Sequence, residues 1–327
     1  MTSAARKRTG GADWSARRER GSAALVRVMA WLSLSLGWHA ARLLLGPAAL
    51  YFLLSTPPAR ANSRAFLRRA LGRDPGWRER FRHFLAFANV LLDRVYLLAG
   101  RDAAYRVEIH GLEALTEALA AAEGRGCLLL GSHLGSFEVL RAFGRTAPVP
   151  VRGTMYRANA GAFTSLLERL DPTLLRNTIE IGTPDAMLRV QEALARGELV
   201  GFLADRLPDG ARRRAARVDF LGAPALFPTA PLLLAARLGV PAVQFFGIRT
   251  APRTYRIEFA PLALAQAPAD VAGGVARYVR ALELRCRLHP FNWFNFHDFW
   301  HDPAGGAASA AGVGIARPSR PCPGAPR

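Results

Sequence analysis

The sequence predicts an α/β fold, in which helices flank a single mixed or largely parallel sheet and a hydrophobic helical segment precedes it. Three observations favour this class. Of the 327 residues, 50% are hydrophobic, which is enough to fill a substantial core. After Gly100, short apolar runs typical of strands alternate with stretches whose apolar residues recur at helical spacing. The run at 127–130 is continuously apolar, as strands in the middle of a parallel sheet are.

The chain begins with two segments that do not show this alternation. Residues 1–22 form a basic arm that is rich in arginine. Residues 23–55 are apolar and aromatic, with interruptions at Arg27, His39 and Arg42. Their uninterrupted apolar pieces are shorter than the roughly 18 to 20 residues that a clean membrane span requires. No cleavage site typical of a signal peptide stands out.

Three interpretations of residues 23–55 are open. One helix crosses a membrane with Arg27 at the cytoplasmic boundary, or two half-length helices lie in the membrane interface. In the second case Trp31, Trp38 and Arg42 lie at the level of the lipid headgroups. In the third, the segment is a helical hairpin buried in a soluble core. The apolar run and its flanking arginines favour membrane association.

Residues 56–302 are predicted to form the α/β domain. Amphipathic helices are expected at 62–71 and 77–98, separated by a turn that contains glycine and proline. A strand at 106–110, a helix at 112–121, the strand at 127–130 and a helix from Phe137 follow. Further strands are expected at 149–153, 178–181, 199–203, 218–221, 242–248 and 255–259. Residues 303–327 are rich in Ala, Gly, Pro and Ser, which predicts a disordered tail.

The turn between the 127–130 strand and the following helix is the predicted catalytic site. Open α/β sheets place their chemistry at the carboxyl ends of strands, and here His133 precedes the helix while Glu138 lies in its first turn. A carboxylate bound to one imidazole nitrogen fixes the tautomer and raises the basicity of the other nitrogen. His133 is therefore the candidate general base, oriented by Glu138. The structural alternative is a capping histidine and a glutamate that suits the helix dipole.

Charged residues follow two further predicted strands. Arg152 and Arg157 follow one strand, and guanidinium groups hold phosphates or carboxylates bidentately. Asp205 and Arg206 end another strand, at the edge of the sheet where ligands bind. We predict that these four residues bind substrate. The alternatives are solvent-exposed charges for the first two and a structural ion pair for the other two.

Composition limits the function further. A net charge of +19 requires anionic surroundings: nucleic acid, phospholipid headgroups or an acidic protein. No glycine-rich phosphate loop follows a strand, so no nucleotide cofactor is predicted. The three cysteines lack metal or disulfide spacing, and no metal site is predicted. The absence of an Asp-x-Asp pair disfavours a metal-dependent glycosyltransferase.

Several motifs together resemble one family. They are GSHLGSFE, MYR, LADR, the DFLG and LFPTAP segments and the late HPFNWFNFHDFW, within residues 20–302. This combination resembles the bacterial lipid A late acyltransferases, within the lysophospholipid acyltransferase superfamily. His133 and Glu138 match the H-x-x-x-x-[DE] signature of that family. The late aromatic stretch is more similar to the branch associated with aryl polyene gene sets.

The resemblance implies transfer of an acyl group from an acyl carrier protein, or less often coenzyme A, to a lipid or glycolipid hydroxyl. The implied location is the cytoplasmic face of the inner membrane. His133 would deprotonate the acceptor, and the strand-end arginines would hold phosphate or phosphopantetheine. The backbone amides of Gly135 and Ser136, or the Arg157 guanidinium, would stabilise the oxyanion.

The aromatic side chains have a role in this hypothesis as well. Phe202, Phe227 and the cluster at 291–300 would line the acyl-chain channel or rest on the bilayer. The alternative is that most of these aromatic side chains are simply core residues. Two other functions stay open at this stage. One is a non-enzymatic basic protein that binds nucleic acid, and the other is a membrane-bound glycosyltransferase.

Overall fold

The computed structural model describes residues 23–144, 149–155, 162–207, 214–262 and 270–300. These residues belong to one compact unit, Ala12–Trp300. The predicted basic arm at 1–22, Arg157 and the predicted tail at 303–327 lie outside the described residues.

A largely parallel seven-stranded sheet forms the centre of the molecule, as the alternation of strand and helix predicts. Its order is β1-β9-β8-β2-β5-β3-β4, and the pair β8 and β9 is antiparallel while the other pairs are parallel. A separate antiparallel hairpin consists of β6 and β7. The strands are β1 Arg106–His110, β2 Leu128–Gly131, β3 Val151–Met155, β4 Thr178–Glu180, β5 Leu199–Leu203, β6 Ala215–Phe220, β7 Ala223–Pro228, β8 Ala242–Ala251 and β9 Thr254–Pro261.

Helices cover both faces of the sheet. Strand β2 shows why, because Leu128 and Leu130 pack into one hydrophobic cluster while Leu129 packs into another. Alternate side chains of a strand point to opposite faces, so a continuously apolar strand is buried on both sides. The helices are α1 Ala23–Leu36, α2 Trp38–Ser55, α3 Pro57–Leu71, α4 Trp77–Leu98, α5 Leu112–Ala121, α6 Phe137–Gly144, α7 Ala162–Leu170, α8 Thr173–Arg176, α9 Ala186–Ala195, α10 Ala230–Leu238 and α11 Val271–Leu288.

The N-terminal apolar segment folds as two helices that break at Gly37, which has a φ of 84°. Helix α2 packs on α4, and Trp38 is only 3% exposed. The indole Nε1 of Trp38 donates a hydrogen bond of 3.0 Å to the buried carboxylate of Asp93. The prediction that Trp38 lies at headgroup level is therefore wrong, because its indole satisfies a buried carboxylate inside the protein.

Asp93 joins five parts of the fold. Besides the Trp38 indole, its carboxylate accepts hydrogen bonds from the hydroxyls of Tyr105 (3.0 Å) and Tyr255 (2.8 Å) and from Nε of Arg249 (2.8 Å). A buried carboxylate is tolerated when it is paired and its oxygens are satisfied. This network fixes α2 and α4 against the sheet.

The opposite side of the first two helices is apolar and exposed. Trp31, Leu43, Tyr51 and Leu54 are 66%, 79%, 65% and 56% exposed. Within the described residues, no single helix has the length and hydropathy of a membrane span. The pair α2 and α3, bent by 99°, passes that test when the two are taken together.

Candidate active site

The sheet brings His133 and Asp205 together. Strands β2 and β5 are parallel neighbours, and Gly131 pairs with Leu203 at their carboxyl ends. His133 and Asp205 each lie two residues beyond these paired positions. Main-chain pairing therefore places the imidazole and the carboxylate side by side at the edge where open α/β sheets bind ligands.

Asp205 holds the imidazole and the backbone of His133 at once. One carboxylate oxygen lies 2.8 Å from Nδ1 of His133, and the other accepts the backbone N–H of His133 at 2.9 Å. The indole Nε1 of Trp293 donates to this second oxygen at 2.8 Å. Asp205 is 1% exposed, and among the described residues Nε2 of His133 has no hydrogen-bond partner. The carboxylate therefore assigns the proton to Nδ1 and leaves the Nε2 lone pair for chemistry.

The surrounding charges keep this pair in the correct protonation states for a base. Burial lowers the pKa of His133, the Arg206 charge lowers it further, and Asp205 opposes both, so the pKa lies below the ordinary value of 6.5. Burial opposes ionisation of Asp205, but His133 and Arg206 outweigh it and hold the pKa of Asp205 below its usual range. At neutral pH the site thus contains a neutral imidazole bound to an ionised carboxylate.

Glu138 does not orient His133, which corrects the expectation from their spacing. Its carboxylate pairs with Arg94 on α4, at 2.6 Å between Oε1 and Nε. Ser136 donates a long hydrogen bond of 3.4 Å to the other oxygen. Glu138 lies in the first turn of α6 and pairs with the cation on α4, whereas the end of β5 places Asp205 beside Nδ1 of His133. His133, Glu138 and Arg94 nevertheless line one cavity, which lies at the carboxyl ends of β2 and β5.

Arg206 is a partly buried cation beside the histidine. Its guanidinium donates to the carbonyl oxygen of Phe294 at 3.1 Å and lines the cavity. Burial lowers the pKa of Arg206 and Asp205 opposes the shift, but an arginine stays protonated at neutral pH. A positive charge is therefore held in the cavity that His133 lines.

Arg152 does not line the cavity, contrary to the prediction that it grips a substrate anion. The strand continues to Met155, so Arg152 sits near the beginning of β3, opposite Val200. Its Nε and Nη2 donate to the carboxylate of Glu198 at 2.7 and 3.1 Å. This is a structural ion pair at the amino end of the sheet.

The backbone amides of Gly135 and Ser136 are already bonded within the protein, which corrects their predicted role as oxyanion donors. Gly135 N–H donates to the carbonyl of Asn292, and Ser136 N–H donates to that of Gly247, both at 2.8 Å. Gly135 has a φ of 72°, and a Cβ at this position would lie 1.8 Å from the Gly247 oxygen. The turn therefore requires glycine here because it is pressed against β8.

A cavity of about 290 Å³ opens over His133, which forms a dyad with the buried Asp205. Its walls are mainly apolar, and its polar groups include the side chains of His133, Glu138, Arg94 and Arg206. The apolar side chains come from α4, α6, α7, the strand ends and the segment after α11: Phe87, Val90, Leu91, Phe137, Met155, Leu167, Leu203 and Phe294. Such a mixture suits a ligand with an apolar body and one polar reacting group.

Most of these aromatic side chains are core residues, as the alternative interpretation holds. Phe202 and Phe227 are 7% and 0% exposed and belong to the main hydrophobic cluster. Trp293 is 1% exposed and contacts the rings of Phe66 and Phe220. From the stretch at 291–300, Phe294 does line the cavity. The described residues contain no group of three or more His, Cys, Asp or Glu side chains that could hold a metal.

Comparison with known proteins identifies the class. Residues 76–302 match the family model of the bacterial lipid A biosynthesis acyltransferases. This match covers more than half of the chain, so the protein belongs to that family. It is an acyltransferase, and the family acts in lipid biosynthesis. No curated protein matches the chain significantly.

Two residues at the site were not found by sequence reasoning, although both carry a signal. Arg94 interrupts the apolar run VLLDRVYLL, where a charged side chain must find a partner once the helix is buried. Trp293 has an indole N–H that needs an acceptor in a core. Each residue type shows that a polar partner is needed but not which one. The partners, Glu138 for Arg94 and Asp205 for Trp293, come from distant parts of the chain.

Proposed function

We propose that this protein transfers a fatty acyl group from a carrier thioester to a hydroxyl of a membrane lipid or glycolipid. The observation that carries the proposal is the hydrogen-bonded pair of His133 and Asp205. Asp205 binds Nδ1 of His133, and His133 itself lines the cavity, so its Nε2 is left for a reacting group. Family membership supports acyl transfer to a lipid and disfavours both nucleic-acid binding and glycosyl transfer.

The reaction is a direct transfer. Nε2 of His133 removes the proton of the acceptor hydroxyl as its oxygen attacks the thioester carbonyl carbon. The tetrahedral intermediate then expels the thiolate, which takes the proton from Nε2 and leaves as a thiol. Asp205 stays ionised throughout, holds the Nδ1–H and stabilises the transient imidazolium.

Two cations are placed to stabilise the developing oxyanion. Arg206 and Arg94 both line the cavity beside His133, and Glu138 holds Arg94 in position. Fixed positive charge near a developing oxyanion, in a site with restricted water, is among the largest contributions to catalysis. Glu138 thus acts as a positioning residue for Arg94. Asp205, predicted to bind substrate, acts here as the partner of the base.

We assign the donor to an acyl carrier protein, with coenzyme A as the alternative. Such carriers are acidic, and a net charge of +19 favours their encounter with this surface.

The exposed apolar side of α1 and α2 supports attachment at the cytoplasmic face of the inner membrane. The late aromatic stretch supports the aryl polyene-associated branch.

Substitution of the dyad tests the function. His133→Ala should lower turnover by about 100-fold or more, the usual contribution of a positioned base. Asp205→Asn should lose at least about tenfold, and the double variant should be little worse than His133→Ala, because the two residues act as a unit. Product formation is followed by mass spectrometry with carrier-protein and coenzyme A thioesters as alternative donors.

His110→Ala is the matched control, since His110 also ends a strand of the sheet but is exposed and forms no hydrogen bond to a carboxylate in the described part of the chain. It should keep turnover within about twofold, as a surface substitution does. Near-normal turnover of folded His133→Ala would contradict the proposed mechanism.

A further inference from the structure

A second cavity lies on the other side of helix α4. Its volume is about 680 Å³, larger than that of the catalytic cavity. Arg82, Ala86 and Asn89 face it, whereas Phe87, Val90 and Arg94 of the same helix face the catalytic cavity. No described residue lines both cavities. The second cavity is therefore a separate site that the acyl-transfer mechanism does not use.

Four arginines from four different elements converge on this cavity. Arg42 comes from α2, Arg82 from α4, Arg249 from β8 and Arg256 from β9. No carboxylate is among the described residues that line it, while the side chains of Asn89, Thr250 and Asn292 supply further polar groups. Guanidinium groups that converge on a cavity whose described lining contains no carboxylate are typical of an anion site.

Two of these arginines are not neutralised by acidic side chains. In the described part of the chain, Arg42 and Arg82 form no ion pair. Their guanidinium carbons lie over the rings of Trp38 (5.2 Å) and Phe291 (4.4 Å). The aromatic rings hold the guanidinium planes in place and leave their N–H groups for a ligand.

The other two arginines are held more firmly. Nε of Arg249 is bound to Asp93, and the side chain is 13% exposed. Arg256 lies 3.8 and 4.0 Å from the carboxylates of Glu108 and Glu258, and its buried Nε has no hydrogen-bond partner among the described residues. The Arg249 guanidinium is therefore fixed in position, and the Arg256 guanidinium still has hydrogen-bonding capacity for a ligand.

We propose that this cavity is a second ligand site of the enzyme, which binds the phosphate group of an anionic ligand. Arginine pairs bind phosphate through parallel N–H bonds, which a set of four guanidinium groups supplies. Arg42 directly precedes Leu43, which is 79% exposed on the apolar side of α2. A lipid whose chains lie against that side would present its headgroup phosphate to the cavity. The same chemistry would also take a free phosphate ion.

The test measures binding to the full chain by titration calorimetry at constant ionic strength. Three probes are compared: dihexanoyl phosphatidic acid below its micelle concentration, dihexanoyl phosphatidylcholine and inorganic phosphate. Arg42→Gln/Arg82→Gln is the diagnostic variant, because it breaks no ion pair in the described residues. Arg237→Gln/Arg280→Gln is the charge-matched control, since both positions are exposed and line neither cavity.

We expect saturable one-to-one binding of dihexanoyl phosphatidic acid that the diagnostic variant weakens at least about tenfold and the control less than about twofold. His133→Ala should bind as well as the wild type, so failure of catalysis and failure of this site are distinguishable. Tighter binding of the lipid than of inorganic phosphate identifies a headgroup as the source, and equal binding identifies free phosphate. Equal losses in both double variants, or no saturable binding, would overturn the proposal. If the double variant does not fold, Arg82→Gln alone should still weaken binding about threefold.

Discussion

His133 should titrate according to the charges around it. A general base must be neutral, so kcat/KM rises with pH through the pKa of the free enzyme. Since burial and Arg206 lower that pKa, the midpoint of the acidic limb is expected below pH 6.5. Arg206→Gln removes a cation and should move the midpoint to higher pH, whereas Asp205→Asn removes an anion and should move it to lower pH.

The measurement is histidine NMR, in which the His133 resonance is assigned by its loss in His133→Ala. Arg206→Lys keeps the charge and should leave the midpoint close to the wild-type value. Shifts of both diagnostic variants in the same direction would show that the two side chains do not act on His133 through their charges.

Single residues also show where sequence reasoning stops. The position of His133 in a turn after a buried strand was predicted from the local pattern alone, because strand, turn and helix are adjacent in the chain. The partner was misassigned, since the spacing pointed to Glu138 whereas strand order supplies Asp205. Both His133 and Asp205 were predicted at strand ends, and the missing information was that β2 and β5 are neighbours.

At the scale of elements, two glycines make room for the ring of Phe137 and so set how far it reaches into the cavity. Gly153 of β3 and Gly201 of β5 are paired and lie beneath the ring of Phe137, which lines the cavity. A Cβ on Gly201 would lie 3.0 Å from that ring. Gly201→Ala should therefore push Phe137 toward the acyl donor and disfavour long chains.

The expected result is a loss of kcat/KM of about tenfold for a long-chain donor relative to a short one, because a misfit of one methylene in a hydrophobic pocket costs about 1 to 3 kcal/mol. Donors of graded chain length provide the measurement. Gly46→Ala on α2 is the control, since a Cβ there meets no atom within 4 Å. An equal loss for all chain lengths would indicate a general disturbance of the strand.

The strands and helices of the domain were predictable where each carries its own pattern. Strands β1 and β5 and helices α4 and α5 begin and end at the predicted residues. Strand β7 was missed because Pro224 and Pro228 argue against a strand. Proline is tolerated at an edge, and a two-stranded hairpin consists of edges alone.

At the scale of the whole molecule, the first two helices are an integral part of the fold. Deleting residues 1–55 would remove the Trp38 indole from the buried Asp93 carboxylate, so truncation would confuse unfolding with release from a membrane. Substitution of the exposed side is the cleaner test. Leu43→Gln/Tyr51→Gln/Leu54→Gln should reduce sedimentation with anionic vesicles at least about tenfold, from three side chains that leave the apolar phase.

The control carries three equivalent changes on other helices: Met187→Gln/Leu188→Gln/Leu284→Gln, at residues that are 45%, 57% and 53% exposed. It should sediment as the wild type does. Equal release of both triple variants would mean that the α2 side chains have no special role at a membrane.

The turn that follows His133 is hydrogen-bonded to two distant parts of the chain, and this has a consequence for the internal motions of the protein. Loop amides usually exchange their hydrogens with water quickly, but those of Gly135 and Ser136 are bonded to Asn292 and Gly247. Exposing either amide requires the turn to separate from β8 and from the late aromatic segment together. We therefore expect hydrogen–deuterium exchange at these two amides to be as slow as in the central strands. The turn next to His133 would then unfold only together with the central strands, as part of one cooperative unit.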